Sequence, residues 1–133
     1  LLPQKAEHRG GFKIQGKGDA GAQQVIRDAD AIASAGAFAI VIEGTIEAVA
    51  HDVTRSSPVP TIGIGASPAC DGQILVTQDM VGLFADFTPK FVKRYGDAGA
   101  VIADSIAAYA DDVRTGRFPE LAHCFGVVKT EET

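Results

Sequence analysis

The hydrophobic positions of this chain fall into short continuous runs separated by longer stretches with helical spacing. Two runs, residues 38–42 and the "VPTIGIG" segment at 59–65, are rich in β-branched side chains and bounded by turn residues, which predicts buried strands. The segment "QILVTQDM" at 73–80 is a third strand candidate. Strands that are apolar throughout, rather than alternating, are typical of a parallel sheet covered by helices on both faces.

Helical spacing predicts three longer elements around these strands. Residues 20–36 carry apolar side chains at helical intervals, with Asp19 as the expected cap and Gly36 as the stop. Residues 45–57 return to the same period, and residues 97–116 read as one long helix that ends at a glycine. The expected order is therefore helix, strand, helix, strand, loop, strand and helices, which is an α/β chain.

Two architectures fit this order, a doubly wound sheet and part of a (β/α)8 barrel. Three strands cannot close a barrel, which typically takes about 250 residues. The pattern therefore predicts either a very small α/β domain or roughly half of a larger one. The opening "LLPQKAEHRG" has no initiator Met and no signal-peptide pattern, as expected of a segment entered in mid-fold.

The composition excludes several classes of protein. The 133 residues are 46% hydrophobic and 22% charged, a balance typical of one globular domain. A net charge of -5 argues against a nucleic-acid partner, and no apolar run approaches the roughly 18 residues of a membrane span. Cys70 and Cys124 are the only cysteines, which favours two structural thiols in a reducing, cytoplasmic compartment. His8, His51 and His123 are scattered and are interpreted as surface or packing residues.

Polar or glycine residues follow each predicted strand. In both architectures ligands bind outside the carboxyl ends of parallel strands, so these residues are expected on one rim. Glu43 follows the first strand, and residues 77–79 follow the third. Gly63 and Gly65 end the second strand, where the absence of side chains lets backbone amides approach a ligand.

Each of these candidates also has a plainer interpretation. Glu43 is either a general base near neutral pH or an acid that caps a helix beginning at residues 44–45. The glycine-rich loop at 63–73 is either a phosphate cradle or a turn, and it lacks the Lys-Ser/Thr pair of a P-loop. Lys13 and Lys17 belong to a polar loop at 4–18 that is either a lid over the site or a mobile segment without function.

Four segments together resemble the ketopantoate hydroxymethyltransferase family. They are "GGFKIQGK" at 10–17, "AIVIEG" at 39–44, "VPTIGIGASPACDGQILVTQDM" at 59–80 and "TPKFVKRY" at 88–95. The resemblance implies a (β/α)8 TIM barrel of the phosphoenolpyruvate/pyruvate superfamily type. Residues 1–133 would then be the C-terminal portion of a single barrel domain, about strands 6–8 with their helices, without the N-terminal half.

The resemblance also implies an activity. Family members transfer a hydroxymethyl group from 5,10-methylenetetrahydrofolate to 3-methyl-2-oxobutanoate, which gives 2-dehydropantoate for pantothenate and coenzyme A synthesis. A metal ion, usually Mg²⁺, stabilises the enolate, and the base of the family corresponds to Glu43. The metal ligands belong to the first five strands, so none is expected here, and neither Asp71 nor Asp79 is assigned that role. The chain alone is therefore expected to be inactive, and the whole protein to be a homo-oligomer, a decamer in the family, acting on small molecules.

The chain differs from many family members at a few positions, and two other functions stay open. "GTIE" at 44–47 and Phe87 stand where many members differ, which leaves the folate contacts open. Lys90 is either a contact to the folate tail or product carboxylate, or part of a surface ion pair. The alternatives are a related superfamily lyase or mutase that acts on C–C or C–P bonds, and a small non-catalytic α/β module. The pattern "CDGQ…PKF" favours the transferase.

Overall fold

A computed structural model of the chain describes residues 13–84 and 87–126. It contains a three-stranded sheet with helices before, between and after the strands, which confirms the predicted α/β class. In chain order the elements are α1 (Gly18–Ser34), β1 (Ile40–Glu43), α2 (Glu47–Ser56), β2 (Thr61–Ile64), β3 (Gly72–Gln73), α3 (Thr77–Met80), α4 (Ala98–Thr115) and a 3-10 turn (Leu121–His123).

The sheet is parallel, and its strands lie in the order in which the chain makes them, β1-β2-β3. Glu43 at the end of β1 is in register with Ile64 at the end of β2. A further parallel bridge joins Gln15, just before α1, to Thr45, just after β1. The chain therefore advances across the sheet in one direction, with α1 and α2 connecting neighbouring parallel segments.

The hydrophobic core lies between one face of the sheet and the first two helices. Ile40 and Ile42 of β1 are buried there. The remaining buried members come from α1, α2 and the loop after β2: Val25, Ala29, Val49, Ala50, Val53 and Cys70. Because side chains alternate along a strand, Val41 and Glu43 lie on the opposite face. Val41 is 41% exposed there, so the described helices cover this face of β1 incompletely.

The predicted helix ends are partly confirmed. Residue Asp97 caps α4 by accepting a hydrogen bond from the backbone of Ala100 at 3.4 Å, and Gly116 ends the helix in the left-handed conformation. The prediction that Asp19 caps α1 is wrong, since Lys17 occupies the cap position and makes no side-chain cap bond. Asp19 lies within the first turn instead, where its carboxylate interacts favourably with the helix dipole.

The prediction of a third strand over residues 73–80 is also largely wrong. Strand β3 contains only Gly72 and Gln73, and residues Thr77–Met80 form the short helix α3. Its partner β2 ends at Ile64, so the β-branched residues that follow β3 have little sheet edge to pair with. The chain turns instead, with the backbone N–H of Met80 donating to the carbonyl of Val76 at 2.9 Å.

Of the loop predicted over residues 4–18, the first nine residues lie outside the described part of the chain. Across residues 13–84 and 87–126, no helix is both long and apolar enough to cross a membrane.

Candidate functional site

Glu43 is the last residue of β1 and lies half-buried at the carboxyl edge of the sheet. Within the described ranges, no side chain or backbone group makes a hydrogen bond or ion pair to its carboxylate. Helix α2 begins only at Glu47, and Ile46 occupies its cap position. The alternative interpretation of Glu43 as a helix cap is therefore wrong, because the acid of the first turn is Glu47.

The backbone after Glu43 is fixed against the end of β2. The N–H of Gly44 donates to the carbonyl of Ile64 at 2.9 Å, and the N–H of Thr45 donates to the carbonyl of Gly65 at 3.2 Å. The hydroxyl of Thr45, a residue only 5% exposed, donates to the carbonyl of Glu43 at 3.0 Å. These bonds define the turn, residues 44–46, that sets the direction of the Glu43 side chain.

The segment before α1 binds the other side of this turn. The N–H of Gln15 donates to the carbonyl of Gly44 at 2.8 Å, and the N–H of Ile46 donates to the carbonyl of Gln15 at 3.0 Å. Lys13 and Lys17 lie two residues to either side of Gln15, and both are exposed. Their backbone therefore lies beside the Glu43 turn, while their closing over a ligand stays a prediction.

The two candidate glycines both have a packing reason. Gly65 has a positive φ of 59°, and a Cβ there would lie 2.8 Å from the ring of Phe91. Gly63 is buried, and a Cβ there would lie 2.9 Å from Oε1 of Gln73 and 3.1 Å from Sγ of Cys70. Contact of these glycines with substrate stays a prediction. The contact of Phe91 with Gly65 brings the "TPKFVKRY" segment to the same edge of the sheet.

A polar network that the sequence analysis missed joins the loops after β1 and β2. The hydroxyl of Ser67 donates to Oε1 of Glu47 at 2.8 Å and accepts from the N–H of Ala69 at 3.1 Å. The side-chain amide of Gln73 donates to the carbonyl of Ser67 at 2.8 Å. The sequence did offer a signal for this pair. Ser67 lies in a glycine-rich loop after a predicted strand, and Glu47 lies near the start of the preceding predicted helix.

Asp71 has a structural role at the opposite end of β2. Its carboxylate accepts bonds from the backbone N–H of Thr61 at 2.8 Å and from the Thr61 hydroxyl at 3.1 Å. These donors, the backbone N–H first, hold the pKa of Asp71 below its usual value because they stabilise the ionised form. Thr54 extends this network through its hydroxyl, 2.9 Å from that of Thr61.

The side chains that could bind a metal ion are spread out in the described part of the chain. No three His, Cys, Asp or Glu side chains among residues 13–84 and 87–126 lie close enough together to bind a metal ion. Residues 77–79, expected at a third strand end, lie on α3 instead. At the carboxyl ends of β1 and β2, the described residues thus place two carboxylates, Glu43 and Glu47, and Glu47 already accepts a hydrogen bond from Ser67.

A parallel sheet with a carboxylate at its carboxyl edge is the arrangement in which α/β enzymes place catalytic groups. The family model described as ketopantoate hydroxymethyltransferase matches residues 1–121 of this chain. The chain belongs to that family, as the resemblance predicted.

Curated relatives agree with this assignment. The chain is 58% identical over 129 residues to "3-methyl-2-oxobutanoate hydroxymethyltransferase 1" of Burkholderia lata, a match covering 97% of this chain and 45% of that protein. It is 56% identical to the enzyme of that name from Rhodospirillum rubrum and 55% identical to that from Agrobacterium fabrum, each over 97% of this chain and 46% of the relative. The chain therefore spans slightly less than half the length of these relatives.

Proposed function

We propose that the protein containing this chain transfers a hydroxymethyl group from 5,10-methylenetetrahydrofolate to 3-methyl-2-oxobutanoate, giving 2-dehydropantoate. The single observation that carries the proposal is the family match over residues 1–121, supported by relatives that bear the name of this activity. The same match favours the transferase over a superfamily lyase or mutase and over a non-catalytic module.

Glu43 is the residue of this chain that takes part in the chemistry. Its position at the carboxyl end of β1, half-buried and without a partner in the described ranges, supports a role as the general base. A carboxylate already bound to a cation or to several donors is a poorer proton acceptor, because its ionised form is stabilised. The hydrogen bonds of the turn at 44–46 preorganise Glu43 for this task.

The step assigned to this chain is removal of the proton at C3 of the keto acid by the Glu43 carboxylate. C3 then forms a carbon–carbon bond with the methylene carbon of the folate, and the two bonds between that carbon and the folate nitrogens break. One water supplies the oxygen of the new hydroxyl group. The two folate nitrogens gain two protons, equivalent to the one removed from C3 and the other proton of the water, and tetrahydrofolate leaves. Lys13 and Lys17, whose backbone lies beside the Glu43 turn, are proposed to close over the bound substrates.

Several finer features remain part of the proposal. The consecutive parallel order of Gln15, β1, β2 and β3 supports winding of the barrel type, with this chain as about strands 6–8. The resemblance places the Mg²⁺ ligands on the first five strands, so we assign them to the remainder of the protein and derive no step through that ion. A homo-oligomer and a cytoplasmic location stay predictions from the family and the composition.

The test is direct synthesis of the product by the full-length protein. Purified enzyme with 3-methyl-2-oxobutanoate, 5,10-methylenetetrahydrofolate and Mg²⁺ should form 2-dehydropantoate, detected by NMR, and omission of either substrate should abolish it. Exchange of the C3 proton with deuterated water in the absence of folate would separate the proton-removal step from the transfer. Absence of both reactions in a folded full-length protein would refute the proposal.

A further inference from the structure

The strongest unassigned contact near the rim joins two loops that both end at the carboxyl edge of the sheet. The loop after β1 carries Glu43 and enters α2 at Glu47, while the loop after β2 carries Gly65 and Ser67. The Ser67 hydroxyl donates to Oε1 of Glu47 at 2.8 Å across the gap between them. Glu47 is exposed and Ser67 is 2% exposed, so the acid reaches inward to a buried partner.

Ser67 is held in one orientation by its own contacts. Its hydroxyl accepts from the N–H of Ala69 and donates to Glu47, so the single hydroxyl proton is committed to the carboxylate. Its carbonyl accepts from the amide of Gln73, whose Oε1 lies 2.9 Å from the position of a Cβ on Gly63. The network therefore extends from the first turn of α2 to the backbone of β2.

The same network bears on the direction of the Glu43 side chain. Glu47 follows Glu43 by four residues, and the turn between them is bonded to Ile64 of β2 through the Gly44 N–H and to Gly65 of the following loop through the Thr45 N–H. The Thr45 hydroxyl also donates to the carbonyl of Glu43. If the loop after β2 shifted relative to α2, this turn would shift as well. Proton removal depends on reach, and misplacement of a reacting group by about 1 Å can cost on the order of 100-fold in rate.

We propose that Glu47 and Ser67 are positioning residues of the reaction assigned above. Their hydrogen bond fixes the Glu43 turn against the loop after β2 and thereby keeps the base carboxylate at its working distance from the keto acid. The inference rests on the proposed function, and neither residue touches the reacting atoms. Its distinguishing consequence is a change in the rate of proton removal without a matching change in substrate affinity.

The experiment compares Glu47→Ala, Ser67→Ala, the double variant and Glu47→Gln in the full-length protein. The rate of C3 hydrogen–deuterium exchange at saturating keto acid, the KM for keto acid and the thermal midpoint are measured for each. Loss of this hydrogen bond lets the Glu43 turn shift, so the exchange rate should fall in each single variant, by up to about 100-fold for a displacement of about 1 Å. The double variant should be no slower than either single one, because both remove the same bond. Glu47→Gln retains the Oε1 acceptor and should stay within about twofold of the wild type, as should all KM values.

A matched control removes a surface hydrogen bond of the same kind. Gln24 donates to Oδ1 of Asp28 at 2.7 Å on α1, so Gln24→Ala and Asp28→Ala should leave the exchange rate unchanged. If Ser67→Ala does not fold, the comparison of Glu47→Ala with Glu47→Gln decides, since Glu47 is exposed.

Each result has one meaning. Wild-type exchange in both single variants, with or without a lower thermal midpoint, would overturn the positioning role and leave the proposed function intact. Rate losses that multiply in the double variant would also overturn it, since the residues would then act independently. Absence of exchange in the wild-type protein would refute the proposed function, and the positioning role with it.

Discussion

Gln15 lies in parallel register with Thr45, and its backbone bonds the residues on both sides of that threonine. Gln15 precedes α1 and Thr45 follows β1, so the two meet only because α1 returns the chain to the same edge of the sheet. This is the connection expected of consecutive parallel segments joined by a helix. It brings the lysine-bearing segment 13–17 beside the turn that carries Glu43.

The first prediction concerns the base itself. Glu43→Gln in the full-length protein keeps the size of the side chain and removes its ability to accept a proton, so exchange of the C3 proton should fall by roughly 100- to 10,000-fold. Binding of the keto acid should change little, because the amide preserves the shape of the site. NMR of the keto acid in deuterated water follows the exchange, and calorimetry measures the binding.

A control for that experiment is Glu43→Asp, which retains the carboxylate but shortens its reach by one methylene. It should exchange more slowly than the wild type and faster than Glu43→Gln. Wild-type exchange in Glu43→Gln would remove Glu43 from the chemistry, whatever the overall turnover.

The second prediction concerns the strand that supports Glu43. Ile42 is fully buried between the sheet and the first two helices, so Ile42→Ala should lower the free energy of unfolding by about 3 kcal/mol. Phe38→Ala removes a larger side chain that is 91% exposed, and it should change stability by no more than about 0.5 kcal/mol. Urea unfolding followed by circular dichroism measures both. Equal losses in the two variants would contradict the packing described for β1.

How far the sequence predicted this fold is clearest from the strands. The runs at 38–42 and 59–65 were located to within a few residues, because a buried strand needs continuous apolar side chains. The strand predicted over 73–80 shows the weakness of the same rule. Its β-branched residues have the propensity for a strand, but β2 is short and offers little edge beyond Gln73. Pairing depends on a partner elsewhere in the chain, which local propensity does not report.

The third prediction uses the lowered pKa of Asp71. A carboxyl whose folded-state pKa lies below its unfolded value contributes stability that is present above the unfolded value and is lost as the pH falls through the folded one. The stability difference between wild type and Asp71→Asn should therefore be largest near neutral pH and should shrink as the pH falls below about 4. Thermal midpoints at a series of pH values measure it.

Thr61→Val is the matched variant for that measurement. It removes the hydroxyl donor and leaves the backbone N–H of residue 61, which is the larger cause of the shift. It should therefore retain most of the pH dependence that Asp71→Asn loses. A constant difference between wild type and Asp71→Asn from neutral to acidic pH would contradict the assigned role of these hydrogen bonds.

The fourth prediction concerns the contact between Gly65 and Phe91. Gly65→Ala should cost about 1–2 kcal/mol for the left-handed conformation, and an additional amount because the new methyl group meets the ring. Gly36→Ala is the matched control, since Gly36 has a φ of 92° and open space where a Cβ would lie. In the double variant Gly65→Ala/Phe91→Ala, the stability lost through contact with the ring should be recovered, whereas the cost of the left-handed conformation should remain. Unfolding midpoints that are equal for the two glycine variants would contradict the close approach of Phe91.

The candidate site was predictable in part. Glu43 could be identified because a carboxylate directly after a buried strand has few structural reasons to be there, and because parallel strands end on one rim. Ser67 and Glu47 could not be paired, since they lie twenty residues apart and belong to different loops. Their meeting depends on the register of β1 with β2, which places the ends of both strands side by side.

The last prediction concerns the exposed face of α4. Ile102, Ile106, Tyr109 and Val113 recur at helical spacing on one side, and each is at least 47% exposed. The chain spans less than half the length of its relatives and α4 has no buried residue, so this stripe packs either against the rest of the same subunit or against another copy. If it packs against another copy, Ile106→Asp should reduce the mass of the assembly in light scattering after size-exclusion chromatography. Ala108→Asp adds the same charge on the opposite side of the helix and should leave the assembly intact. If Ile106→Asp lowered the thermal midpoint but not the assembly mass, the stripe would instead be covered within one subunit.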